Sequence, residues 1–135
     1  MNVAKYAVPI ELRFNDVDGL GHVNNAIYLT FLEHARMRFF TEEAGSESEK
    51  DFPFILAHAS LDYKVPIKMG AKLMVSMWTS RIGGKSWDFD YEIKDADTAA
   101  VYATGKTVQV AYDYYLEKSD MLEGELKEHV LSLRP

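Results

Sequence analysis

"AIYLTFLEHARMRFF", residues 26–40, has the spacing of a helix. Tyr28, Phe31, Leu32, Ala35 and Phe39 recur by steps of three and four and share one side. Thr30, Glu33, His34, Arg36 and Arg38 share the other, where Glu33 and Arg36 read as an ordinary helix ion pair. Leu29, Met37 and Phe40 carry apolar surface round the flanks, so the helix is expected to touch more than one layer.

On both sides of this segment the period becomes two, the spacing of a half-buried strand. "PIELRFND" (residues 9–16) alternates Ile10, Leu12 and Phe14 with Glu11, Arg13 and Asn15. Downstream come "FILAHASLDYKVPI" with a break at Pro66, "KLMVSMWTSR", "SWDFDYEIKD" and "AVYATGKTVQVAY". The clearest is the third, with Trp87, Phe89, Tyr91 and Ile93 set against Ser86, Asp88, Asp90 and Glu92. "IGGK" (residues 82–85) reads as a hairpin turn, because paired glycines accept positive φ, and "DADTA" as a second turn. "GSESEKD" (residues 45–51) reads as a surface loop. The tail "MLEGELKEHVLSL" predicts a short amphipathic helix with Leu122, Leu126 and Val130 in line, capped by Ser119 or Asp120.

Tight turns between strands predict an antiparallel sheet. The expectation is therefore an α+β fold, one long helix on a five-stranded antiparallel sheet, with residues 1–135 as a single domain. The late strands hold Trp78, Trp87 and several tyrosines, more apolar surface than one helix covers, so a twofold homodimer is expected. A net charge of -6 argues against a general nucleic-acid binder. No cysteine is present, which excludes disulfides, thiolate nucleophiles and Cys-based zinc sites. The histidines at 22, 34, 58 and 129 are scattered, so no metal site is expected. No apolar run is long enough for a bilayer and no leader is evident, so the expected location is cytoplasmic.

"DVDGLGHVNNAIY" (residues 16–28) leads into the long helix. Taken singly, its residues have ordinary roles: Asp18-Gly19 is a turn dipeptide, and Asn24 or Asn25 is a good N-cap. Together they form an apparatus. A helix starting near Asn24 or Asn25 presents unpaired N–H groups to a developing oxyanion. Asp18, on a glycine-flanked loop, can fold back beside them to attack a carbonyl or activate water, the minimum for acyl transfer. Between Tyr63 and Trp87 there is no acidic residue, only Lys64, Lys68, Lys72, Arg81 and Lys85. Such a basic run in an acidic chain could receive phosphates, with Lys85-Ser86 beside the glycine turn the favoured position.

These residues carry a resemblance. "RFNDVDGLGHVNNAIYLTFLEHAR" resembles the D-x-D-x-x-G-H-V-N-N-x-x-Y segment of hotdog-fold acyl-CoA thioesterases of the 4-hydroxybenzoyl-CoA thioesterase-like type. "ASLDYKVPI" and "RIGGKSWDFDYEI" are more weakly similar to later parts of that family. The resemblance implies a hotdog fold and a homodimer or homotetramer with sites at the subunit interface. It implies hydrolysis of an acyl-CoA to free acid and CoA, with CoA part of the substrate and no cofactor. Asp18 would be the catalytic carboxylate, with backbone N–H groups near Asn24 and Asn25 as the oxyanion site and His22 orienting substrate or water. Lys85 and Ser86, with Lys64 and Arg81, would hold CoA. Phe52 or Phe54 of the neighbouring subunit would line the acyl pocket. Two rival expectations are an acyl-carrier-protein thioesterase and a non-catalytic acyl-CoA-binding module.

Overall fold

A computed structural model describes residues 6–43, 45 and 52–135. Strand β1 is Tyr6–Ile10, followed by a single 3-10 turn, Phe14–Asp16, and helix α1, Ile27–Glu42. Strands β2 (Phe54–Tyr63), β3 (Leu73–Ile82), β4 (Ser86–Asp95) and β5 (Val101–Asp113) come next, then a two-residue β6 (Lys118–Ser119) and helix α2 (Gly124–Ser132). Most of the loop expected at residues 45–51 lies outside the described residues.

Five strands form one antiparallel sheet in the order β1-β3-β4-β5-β2, with β6 added on the end of β5. The first is Tyr6–Ile10 and not the expected residues 9–16: the chain leaves the sheet after Ile10, Phe14–Asp16 is a 3-10 turn closed on Asp16, and Phe14 is exposed. Along β4 its inner face is the alternating set read from the sequence, Trp87, Phe89, Tyr91 and Ile93. In one row Val8, Val75, Ile93 and Ala103 pair across four strands, and all are buried. Along β4 the rings of Trp87, Phe89 and Tyr91 follow edge to face, and Phe54 and Phe40 carry the contact on to α1. Helix α1 lies directly over this face. A Cβ added to Gly105 of β5 would meet Leu32 Cδ1 at 2.9 Å and Leu61 Cδ2 at 3.1 Å, so glycine there permits the close approach of helix to sheet.

Three further expectations need correction. Arg36 is not on the polar side of α1; it is buried, and its Nη1 donates to Tyr91 Oη at 3.3 Å instead of pairing with Glu33. Its position borders the apolar stripe, and the long side chain reaches under the helix. Helix α1 begins at Ile27, later than Asn24 or Asn25, after a turn closed by the Ile27 N–H on the Asn24 carbonyl at 2.9 Å. Helix α2 begins at Gly124 with Glu123 as N-cap, so neither Ser119 nor Asp120 caps it. Leu122 is instead buried and its N–H is spent on the Gly84 carbonyl at 2.9 Å, which pins that segment to the β3–β4 hairpin. Gly124 then turns the chain with a φ of 63°. No helix among the described residues is long and apolar enough to cross a membrane.

Among the described residues, strand β2 ends the sheet and pairs only with β5. Most of its residues are exposed, Ile55 and Leu56 among them. An exposed strand edge with apolar side chains is a template for pairing with another chain.

Candidate active site

The two aspartates of the D-x-D pair have different surroundings. Asp16 is 2% exposed, and its carboxylate accepts the Arg13 backbone N–H at 2.9 Å and Arg13 Nη2 at 3.0 Å. Burial pushes the Asp16 carboxyl up, but the Arg13 hydrogen bonds and charge outweigh it and hold the group below its ordinary value. Its backbone carbonyl receives the Asn24 N–H at 2.8 Å, so Asp16 anchors the loop from underneath.

Asp18 is exposed on that loop. Its N–H donates to the His22 carbonyl at 2.8 Å, and the Gly21 N–H donates to the Asp18 carbonyl at 3.1 Å. Gly21 closes this turn at a φ of 79°, where a side chain would be strained. Asp18 Oδ1 accepts the N–H groups of Leu20 at 2.9 Å and His22 at 3.4 Å. Oδ2 has no hydrogen bond from the described residues, so one oxygen orients the carboxylate and the other is available. The loop is tied to the β2–β3 connection by the Val23 N–H on the Ile67 carbonyl at 2.7 Å and by a bridge between His22 and Lys68.

Asp18 faces a pocket of about 290 Å³ that it lines with His22, Asn25, Tyr28, Tyr63 and Lys64. Tyr63 donates through Oη to the Asn25 carbonyl at 3.0 Å, and its ring meets Tyr28 edge-on at 4.8 Å. Burial pushes the Tyr28 phenol up, with the Ile67 backbone N–H opposing. Asn24 is outside this lining and has a structural role: its Oδ1 accepts the Ala26 N–H at 3.0 Å. Asn24 therefore satisfies the amides of both Ala26 and Ile27. The Asn25 N–H, by contrast, has no hydrogen bond among the described residues, and Asn25 lines the pocket.

The fold thus brings Asp18, His22, Asn25 and Lys64 together, and leaves Arg81, Lys85 and Ser86 elsewhere. Those three lie at the β3–β4 hairpin. Strand pairing aligns Ser86 with Val110 and Tyr63 with Ala103, seven positions apart on β5. At roughly 3.3 Å per residue the separation within one chain is about 23 Å. Arg81 is engaged there, with Nε on Asp88 Oδ1 at 2.9 Å and Nη2 on Ser86 Oγ at 2.8 Å. Tyr63 and Tyr28 are pocket residues that sequence reading missed; the tyrosine ending "SLDY" ahead of Lys64 was the available signal. Among the described residues no group of three or more His, Asp or Glu could hold a metal ion.

A long helix on an antiparallel sheet, with a carboxylate loop opening that helix, defines the hotdog class. The 1,4-dihydroxy-2-naphthoyl-CoA thioesterase of Synechocystis superposes with a TM-score of 0.84 over 96% of this chain and 97% of its own, at 22% identity, which bears on the fold. A thioesterase of Thermus thermophilus, solved with coenzyme A and zinc, superposes with a TM-score of 0.81 over 96% of this chain and 95% of its own, at 29% identity. The long-chain acyl-CoA thioesterase FadM of Escherichia coli is 30% identical over 127 residues, 88% of this chain and 92% of that protein. Residues 12–130 match the model of the thioesterase-like superfamily, and the chain belongs to that family.

Proposed function

We propose that the protein is an acyl-CoA thioesterase, residues 1–135 forming a single hotdog domain that releases a free acid and CoA. The observation that carries this reading is the pairing of a tethered Asp18, one oxygen available, with the open Asn25 N–H at the same pocket. The thioester carbonyl sits with its oxygen on that N–H. Asp18 Oδ2 takes a proton from water as the water oxygen adds to the carbonyl carbon and later passes that proton to the leaving sulfur, or it adds to the carbon itself to form a mixed anhydride that water then hydrolyses; both routes use the same oxygen and end in the same products. The oxyanion that forms is stabilised by the Asn25 N–H and the helix start. Its collapse breaks the C–S bond and CoA leaves as the thiol. His22 and Tyr63 fix the loop and the Asn25 peptide. No cofactor takes part, and CoA is recognised as part of the substrate in the cytoplasm.

The working unit is a homodimer joined along β2. Twofold antiparallel pairing of two β2 edges sets the Ile55 end of one against the Tyr63 end of the other. Because Ile55 and Ser86 both pair with Val110, the partner's hairpin then approaches the Asp18 pocket. This pairing supports Lys85, Ser86 and Arg81 as CoA ligands across the interface, with Lys64 on the near side. Pairs of dimers would give the tetramer.

Thiol release across short, long and aromatic acyl-CoAs tests the activity. Turnover of at least one class is expected, and release only from acyl-carrier protein, or none at all, overturns the reading. Ile55→Lys places charge on the β2 edge; it should yield a folded monomer by sedimentation with turnover lost. A fully active monomer would exclude the shared site.

A further inference from the structure

A second, smaller pocket of about 150 Å³ lies beside the same helix, lined by Leu29, Thr30, Glu33, Arg36, Leu56, Ala59 and Thr107. Two of its members, Arg36 and Thr107, are buried, and one of them is a cation. Arg36 is 5% exposed, and its Nε has no hydrogen-bond partner. Among the described residues, the bonds it makes lead to no counter-charge. Nη1 donates to Tyr91 Oη, which leaves the Tyr91 proton for Thr107 Oγ1 at 2.6 Å; Thr107 then donates to Gln109 Oε1. Gln109 Nε2 ends the relay on the Trp87 carbonyl at 3.3 Å. Every member of this relay is neutral except Arg36. Glu33 lines the same pocket, but it is exposed and forms no ion pair with Arg36. A buried guanidinium without a carboxylate is strongly unfavourable, and it persists where something anionic completes it.

The pocket follows the Asp18 pocket along the helix. Leu29, Glu33 and Arg36 share one stripe of α1, and Asn25 lies in the turn just ahead of that stripe. Facing them on β2, Tyr63, Leu61 and Ala59 share one side of the strand. The Tyr63 end belongs to the Asp18 pocket and the Ala59 end to the Arg36 pocket. Between the two linings α1 carries Leu29 and β2 carries Leu61, both apolar. From Ile27 to Arg36 the helix advances about 13 Å, and the side chain leans back toward the N-terminus, leaving a span on the order of 10 Å.

We infer that Arg36 is a specificity residue, and that the preferred substrate is an acyl-CoA of medium length whose far end carries a carboxylate. The inference rests on the thioesterase reading above and names its substrate class. The thioester lies at Asp18 and Asn25, the methylene chain runs past Leu29 and Leu61, and the distal carboxylate meets Arg36 where it lines the second pocket. Such a charge-assisted contact is geometrically specific and absent for a plain fatty acyl chain.

The test compares suberyl-CoA with octanoyl-CoA, which share chain length and differ in the terminal carboxylate. The wild-type protein should favour suberyl-CoA in kcat/KM by about ten- to a hundredfold, the range of one buried charge-assisted bond. Arg36→Met keeps the volume and removes the charge, and should bring that ratio to one or below. Glu33→Gln removes a like charge at the mouth and should raise the ratio several-fold. Calorimetric binding of both thioesters to Asp18→Asn protein reads the same preference without turnover, so the inference is decided even if hydrolysis fails. Octanoyl-CoA hydrolysed as fast as suberyl-CoA would overturn this inference and leave the thioesterase reading standing. Loss of hydrolysis on every thioester, with the binding preference intact, would do the reverse. An Arg36→Met protein that changes oligomeric state at an unchanged ratio would assign the guanidinium to assembly and refute the inference.

Discussion

Gly105→Ala probes the contact that holds α1 over the sheet and so positions the amides at its start. The added methyl would lie 2.9 Å from Leu32 Cδ1, 3.1 Å from Leu61 Cδ2 and 3.3 Å from the Ser60 carbonyl oxygen. Leu32 is fully buried, so its end cannot swing clear. Overpacking of this kind costs about 2 kcal/mol, while replacing a strand glycine returns about 0.5–1 kcal/mol by narrowing the unfolded ensemble. The net loss is about 1–1.5 kcal/mol, a drop of about 4–5 °C in Tm for a chain of this size. Thermal unfolding followed by circular dichroism measures it. Leu32→Ala alone should cost about 2–5 kcal/mol, through its cavity. The double variant should cost less than the two losses together by at least about 0.5 kcal/mol, because each change relieves the other. Strict additivity, or a Gly105→Ala protein as stable as the parent, would show that helix and sheet do not meet at this point.

Two further outcomes are expected. Asp16, with its folded pKa depressed by Arg13, contributes stability that is complete above the ordinary carboxylate value of about 4 and lost as pH falls through the lower folded value. Asp16→Asn should therefore lower stability near neutrality, by about 1–3 kcal/mol, and flatten the acid limb of a urea-midpoint-versus-pH curve; a parallel curve would contradict the pairing. Tyr63→Phe removes the donor to the Asn25 carbonyl, an exposed bond, and should lower kcat several-fold with Tm nearly unchanged. An unchanged kcat would mean the Asn25 peptide is held without it.

Much of this fold was legible because its signals are local and periodic. Trp87, Phe89, Tyr91 and Ile93 alternate without a break, and all four are buried. The α1 stripe from Tyr28 to Phe39 is equally regular. What was missed depends on partners remote in sequence. The burial of Arg36 is set by Tyr91, 55 residues away, and no helical period reports such a partner. The start of α1 moved because Asn24 closes a turn ahead of the helix, a cap whose side chain serves Ala26. The C-terminal helix began late because Leu122 is held by Gly84 on a distant hairpin. Within the candidate site, Asp18, His22 and Asn25 are close in sequence and share a pocket, whereas the basic run is spread along strands. Lys64 lies at the pocket, and strand β3 carries the chain away before Arg81 and Lys85.

The account stands on the reactive oxygen at position 18. Single-turnover thiol release from an acyl-CoA, measured for the parent and for Asp18→Asn at equal concentration, tests it most directly. The substitution keeps the shape and an oxygen acceptor for Leu20 and His22, and removes the charge. A fall of about a thousandfold or more in rate, with substrate affinity and Tm retained, is the predicted result. A variant within about tenfold of the parent would contradict it and place the chemistry on another group.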